Sequence, residues 1–187
     1  MESMGSVEHG VPTLHVRTRH YRGLFVAAGI ALALGSSVAA CTSSAASPGA
    51  ASELQKQADL YAINQIEVKW HEASSTKNLD LMMTLWADNA TFTTASQTYN
   101  GKDAIRTFFA TQAAPFKPEN NWVSDTPAYK SRVTVDGDKG TLYFQCDYID
   151  VDTREVKVVV SADQQVARIN GTWVIISTIA ATPGLGY

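Results

Sequence analysis

Cysteine and histidine are scarce in this chain, and the shortage excludes a good deal of chemistry. Only two cysteines, Cys41 and Cys146, and four histidines occur in 187 residues. His9, His15 and His20 lie near the beginning, which leaves His71 alone in the remainder. A zinc site, a two-histidine iron site or a haem pocket needs more ligands than this, so no metal and no cofactor is expected. Basic clusters are missing too. Fifteen Lys and Arg stand against eighteen Asp and Glu, and no positive run offers an electrostatic footprint for nucleic acid. Long apolar stretches are also absent. The most apolar run, Gly23 to Leu34, has twelve residues, too few to cross ~30 Å of hydrocarbon as a helix.

That run is informative for what surrounds it. Arg17, Arg19 and Arg22 precede it, and small residues follow as far as Val38-Ala39-Ala40-Cys41. A basic segment, a short apolar segment and small residues at a cleavage point describe a secretory signal peptide. The cysteine after the small pair resembles the lipobox of bacterial lipoproteins, in which the thiol is acylated and becomes the mature N-terminus. The alternative is an ordinary signal peptide cut at Ala-x-Ala, with Cys41 a bystander. The first sixteen residues fit a leader poorly, since they carry Glu2, Glu8 and Pro12. Translation from Val16 through a non-AUG codon is therefore an expectation, which N-terminal mapping of the uncleaved precursor tests.

Cleavage before Cys41 leaves 147 residues with twelve basic and sixteen acidic side chains, a net charge of −4. That length suffices for one domain with its own core. The expected division is a signal peptide over 1–40, a flexible tether over 41–52, a domain over 53–182 and a tail over 183–187. The tether reading rests on the small, nearly uncharged Thr42–Ser52 stretch. With Cys41 acylated, Cys146 is the remaining thiol and no intrachain disulfide can form. Alternating with Phe144 and Tyr148, it reads as a small core hydrophobe.

The domain opens at a capping box, Ser52-Glu53-Leu54-Gln55. A helix is predicted to about Ser75, with Ile63, Ile66, Trp70 and Ala73 on one face. A short second helix follows Asn78, carries Leu81, Met82, Leu85 and Trp86, and stops at Asp88-Asn89. A strand over Ala90–Thr94 and a turn at Asn100-Gly101 lead into a third helix, Lys102 to Thr111, with Ile105, Phe108 and Phe109 inward. From Asn121 the period falls to two. One long strand is predicted from Trp122 to Val135, then strands over Thr141–Ile149, Val156–Ile169 and Thr172–Ala180. Helices first and an antiparallel meander afterwards make an α+β fold.

Asn170-Gly171 is a strong hairpin signal, because both central residues of a type I′ turn need positive φ. As a two-residue loop it sets Ile169 against Thr172, Arg168 against Trp173, Val166 against Ile175 and Gln164 against Ser177. Alternation then puts Trp173, Ile175, Ile179, Val166, Ala162, Gln164 and Ser177 on one face. Ala167, Val174 and Ile176 take the other, which is apolar enough to need a cover. A homodimer is the simplest one.

Three segments together resemble the SnoaL-like branch of the nuclear transport factor 2-like superfamily. They are Trp86-Ala87-Asp88-Asn89-Ala90-Thr91-Phe92, Tyr99-Asn100-Gly101-Lys102-Asp103-Ala104-Ile105 with Phe108-Phe109, and Ala167-Arg168-Ile169-Asn170-Gly171-Thr172-Trp173-Val174-Ile175. The resemblance implies a cone: three N-terminal helices packed on a curved, mainly antiparallel sheet, with an apolar pocket at one end. Members of the family include isomerases, dehydratases and cyclases, and others that only bind or oligomerise. Several carry an acidic residue nine positions before the hairpin tryptophan. Here that position is Gln164, an amide that cannot act as a base.

Two functions from different classes follow. In the first, a lipid-tethered lipoprotein on the extracytoplasmic face of the cell membrane binds a small apolar ligand or an envelope partner. Its pocket is expected to be lined by Trp86, Tyr99, Trp122, Gln164, Trp173 and Ser177, with Gln164 and Ser177 orienting a neutral ligand. In the second, a SnoaL-like isomerase, dehydratase or cyclase uses Asp147 or His71. Asp147 shares a strand face with Tyr143 and Gln145, and serves as a general base only if that face looks into the cone. His71 is the one mature side chain whose ordinary pKa lies near neutrality. Asn89-Ala90-Thr91 and Asn170-Gly171-Thr172 match glycosylation sequons and are read as turn residues.

Overall fold

The computed structural model describes residues 48–125 and 127–182, which belong to the unit of the chain over 44–187. The leader, Cys41 and the tail 183–187 lie outside the described residues. The first helix, α1, spans Pro48–Ser75 and so begins four residues before the expected capping box. Proline at the first helical position has its φ preset, and Ala50-Ala51 extend the helix at little cost. The end of the expected tether is therefore helical. Ile63, Ile66, Trp70 and Ala73 are all 3% exposed or less, as their spacing predicts. A neighbouring stripe of Glu67, His71 and Ser74 is equally buried, which apolar periodicity gives no reason to expect.

α2 (Leu79–Thr84) is capped by the Asn78 side chain, which accepts from the Leu81 N–H at 2.9 Å. It ends earlier than predicted, because Trp86 already belongs to β1 (Trp86–Thr93). Asp88 and Asn89 fall at an irregularity in the pairing of β1 and stay exposed there. A three-residue strand, β2 (Thr98–Asn100), precedes α3 (Lys102–Thr111), and a single 3₁₀ turn covers Ala114–Phe116. The bounds of α3 match the sequence reading.

The predicted long strand from Trp122 to Val135 is instead two strands, β3 (Trp122–Ser124) and β4 (Lys130–Asp136). Both pair with β5 (Lys139–Asp150), β3 at its end and β4 at its beginning. Pro127 lacks the N–H that a ladder position needs. The chain detours there, and the Ala128 N–H donates to Glu67 Oε1 at 2.8 Å. β6 (Val156–Ile169) and β7 (Thr172–Ala181) complete the sheet, whose order is β2-β1-β7-β6-β5-β3 with β4 also on β5. Only β1 and β7 pair in parallel among the described strands. The expected α+β, mainly antiparallel architecture is present.

The final hairpin has Asn170 at φ 50° and Gly171 at φ 80°, as its turn type requires. Ile169–Thr172, Arg168–Trp173 and Val166–Ile175 pair as predicted. The register then slips by one at Ile176, so Gln165 faces Ser177 and Gln164 faces Thr178. An extra residue reverses which side chains point inward beyond it. Thr178 thus occupies the buried place predicted for Ser177, and Ile179, expected inward, is 65% exposed.

α1 lies across the inner sheet face. Contact is tight at Gly140, where a Cβ would come 2.5 Å from the Thr134 carbonyl oxygen and 2.9 Å from Ile63 Cδ1. Trp70 is the hub of the core, its ring centroid 5.4 Å from Phe109, 5.6 Å from Phe144 and 5.8 Å from Trp86. Burying each such side chain contributes about 1.5–3 kcal/mol, and aromatic pairing adds about 0.5–1.5 kcal/mol per pair.

Candidate ligand cavity

A cavity opens between the inner face of the sheet, α1, α3 and the 3₁₀ turn. Phe92 comes from β1, Phe108 and Phe109 from α3, Phe116 from the 3₁₀ turn and Trp70 from α1. Opposite them stand Val158, Val160 and Ala180 from β6 and β7, with Tyr148 from β5. These residues, with Ala113, Ala114, Pro115 and a polar border of Thr94, Ser96, Gln112 and Thr182, enclose about 330 Å³. The volume falls at the small end of the range for ligand pockets.

The wall is held from outside. Lys77 Nζ donates to the Asn120 carbonyl at 2.6 Å and to the Pro115 carbonyl at 3.2 Å, and Asn120 Nδ2 donates to the Ala114 carbonyl at 2.9 Å. These bonds fix the turn that presents Phe116, whose ring lies 5.4 Å from that of Phe109. Tyr99 Oη donates to Gln112 Oε1 at 2.8 Å and so orients the border amide.

Tyr148 is the one titratable side chain among the described residues that line the cavity. Burial pushes its phenol well above the ordinary range, the nearby Cys146 adds to the shift, and hydrogen bonding with Ser74, Trp70 and Ser124 only partly opposes it. The phenol therefore stays neutral through the physiological range, and no general base is present among the described lining residues.

The acid–base candidates lie elsewhere. His71 is fully buried, with Nδ1 3.2 Å from Glu67 Oε1. Burial pushes the imidazole down to about 4, and a hydrogen bond with the Asp125 backbone only partly opposes it. The spacing would suit an ion pair, but burial favours the neutral imidazole, so the close approach is not one between full charges. Burial raises the Glu67 carboxyl, opposed by the Ala128 N–H. The pair ties Asp125 and Ala128 to α1 and does not line the cavity. Asp147 alternates with the buried Phe144, Cys146 and Tyr148, which puts it on the outer sheet face. Burial raises its carboxyl, and the charge of Asp125 adds to that. Asp147 and His71 thus lie on opposite faces of β5 and cannot converge. Burial pushes the Cys146 thiol up to about 12, which favours the protonated form at neutral pH.

The six side chains expected to line the pocket are distributed differently. Trp86 is core, 1% exposed, and Tyr99 acts one step behind the wall through Gln112. Trp122 packs half-buried on the core, and Ser177 lies on the outer face beyond the bulge. Gln164 is fully buried one pair further along the inner face. Trp173 borders a second, more polar hollow of about 430 Å³ with Tyr61, Gln65 and Lys69. The hairpin motif directed attention to its own end of the sheet, whereas the cavity lies at the opposite end. A legible signal was present in Ala113-Ala114 and Ala180-Ala181, small residues that line the cavity together with Phe92, Phe108 and Phe109.

Comparison with known proteins agrees with this architecture. The family model described as SnoaL-like domain matches residues 68–175. No curated protein matches the sequence. Among solved structures, an NTF2-like protein with a cystatin-like fold from Novosphingobium aromaticivorans superposes with a TM-score of 0.63 at 16% identity, covering 73% of this chain and 89% of that one. LinA superposes with a TM-score of 0.58 at 18% identity, covering 73% and 97%. A candidate dehydratase of the NTF2-like family from Streptomyces avermitilis gives a TM-score of 0.55 at 16% identity, covering 68% and 97%. At such identities the likeness concerns the fold. The chain belongs to the SnoaL-like domain family.

Proposed function

We propose that this protein is a lipoprotein anchored through Cys41 on the extracytoplasmic face of the cell membrane, and that its SnoaL-like domain binds a small apolar molecule. The observation that carries the binding reading is the cavity of about 330 Å³, walled by aromatic and aliphatic side chains and free of Asp, Glu, His, Lys and Arg among its described lining residues. Such a site gains affinity by desolvating an apolar ligand. It has nothing placed to abstract a proton, since His71 is sealed in the brace with Glu67 and Asp147 faces outward. The anchor rests on the tripartite leader ending at Cys41. We further propose that a second copy covers the outer sheet face, where Ile179 is 65% exposed and Val174, further along the same strand, is half-buried. The test of binding is a thermal-shift screen of neutral, mainly apolar molecules on the protein and on Ala180→Phe. Hits should stabilise the first and lose their effect on the second.

A further inference from the structure

Gln164 and Thr178 are paired across β6 and β7 and are 0% and 1% exposed. Among the described residues, neither polar atom of the Gln164 amide nor the Thr178 hydroxyl has a hydrogen-bond partner. Buried amides and hydroxyls are almost always satisfied, and leaving them without partners is costly. Leucine and valine would fill the same space without that cost. The pair therefore points to a partner supplied from outside the fold.

Its position indicates where that partner enters. Thr178 is the register partner of Phe92 on β1, and Ala180 is the next inward residue along β7. Along β6 the inward row runs Gln164, Ala162, Val160. Phe92, Ala180 and Val160 all line the cavity; Gln164 and Thr178 lie on the same sheet face one register pair behind Ala180, where a ligand group reaching past the wall would meet them. We infer that the cavity selects a neutral molecule with an apolar body and one group that both donates and accepts hydrogen bonds, a hydroxyl or primary amide, read by Gln164 and Thr178. An anionic or cationic head is disfavoured, because no charged side chain among the described lining residues would compensate it. The inference rests on the cavity reading above and adds the ligand class to it.

The test compares 2-naphthol with 2-methylnaphthalene, which share a ring system and differ by a hydroxyl in place of a methyl. Calorimetric titration of the full chain should show tighter binding of 2-naphthol, by about tenfold or more. Gln164→Leu and Thr178→Val should each shrink that preference while keeping or improving the affinity for 2-methylnaphthalene, and neither should lower the melting temperature. Gln164→Met serves the same comparison where leucine does not fold. Equal affinities in the unaltered chain, or a preference that survives both substitutions, overturns this inference while the cavity reading stands. Binding of neither probe overturns both.

Discussion

The Trp173 indole N–H donates to the Asp59 carboxylate across 3.2 Å, joining residues 114 positions apart in sequence. Arg168 completes the group, pairing with the other Asp59 oxygen and lying 5.0 Å over the Trp173 ring. One cluster thus pins the tip of the last hairpin to α1. Trp173→Phe keeps the ring and removes the donor, so it should cost about 1–2 kcal/mol, read as a lowered melting temperature. Burial pushes the Asp59 carboxyl up, but hydrogen bonds from Trp173, Arg168 and Gln55 and the Arg168 charge outweigh that and hold it below its usual value of 3.8. Its folded pKa is depressed, so this stabilisation is present above the unfolded value and is lost as the pH falls below it. Asp59→Asn should flatten the melting profile in that acid range.

His71 shapes a different window. Its pKa falls from 6.5 in the unfolded chain to about 4 in the fold, so between those values the unfolded state holds more protons. Stability should therefore fall as the pH is lowered from 6.5 to 4. Glu67, with its folded pKa raised above 4.5, contributes in the opposite sense. His71→Asn should weaken the acid-induced loss seen by denaturant titration at successive pH values. An unchanged slope would mean that the brace with Glu67 does not set it.

Cys41→Ser should move the protein from the membrane fraction to the soluble one, because acylation needs the thiol. A variant that stays on the membrane after its leader is cleaved would contradict the lipid anchor.

If a second copy covers the outer face, Ile179→Glu should shift the protein from dimer to monomer in sedimentation, since the charge would have to be buried without a partner. Ile179 is exposed in the single chain, so its replacement should leave the monomer folded. A monomeric unaltered protein would contradict the dimer.

The local architecture was largely legible in the sequence. α3 and the Asn170-Gly171 hairpin were readable because each is specified by its own turn residues and a regular period. Three features were not. The extra residue at Ile176 moved Thr178 inward in place of Ser177, and alternation alone cannot announce a bulge. Pro127 was visible, but only the Ala128–Glu67 bond explains why the strand is broken there and not merely weakened. The cavity depends on where small residues on β7 meet large ones on α3, a tertiary matter that neither segment encodes alone. The separation of the acid–base candidates Asp147 and His71 was hidden for a related reason. Strand alternation put Tyr143, Gln145 and Asp147 on one face, but only burial of Phe144, Cys146 and Tyr148 decides that this face looks outward.

The central claim is that the cavity behind Phe92 and Phe116 holds an apolar ligand. Its most direct measurement is calorimetric titration of 2-methylnaphthalene into the protein and into Ala180→Phe, which puts a ring into the cavity from β7. Saturable binding to the unaltered protein, weakened at least about tenfold by the substitution, is the predicted result. Absence of binding, or equal affinity in the two proteins, would contradict it.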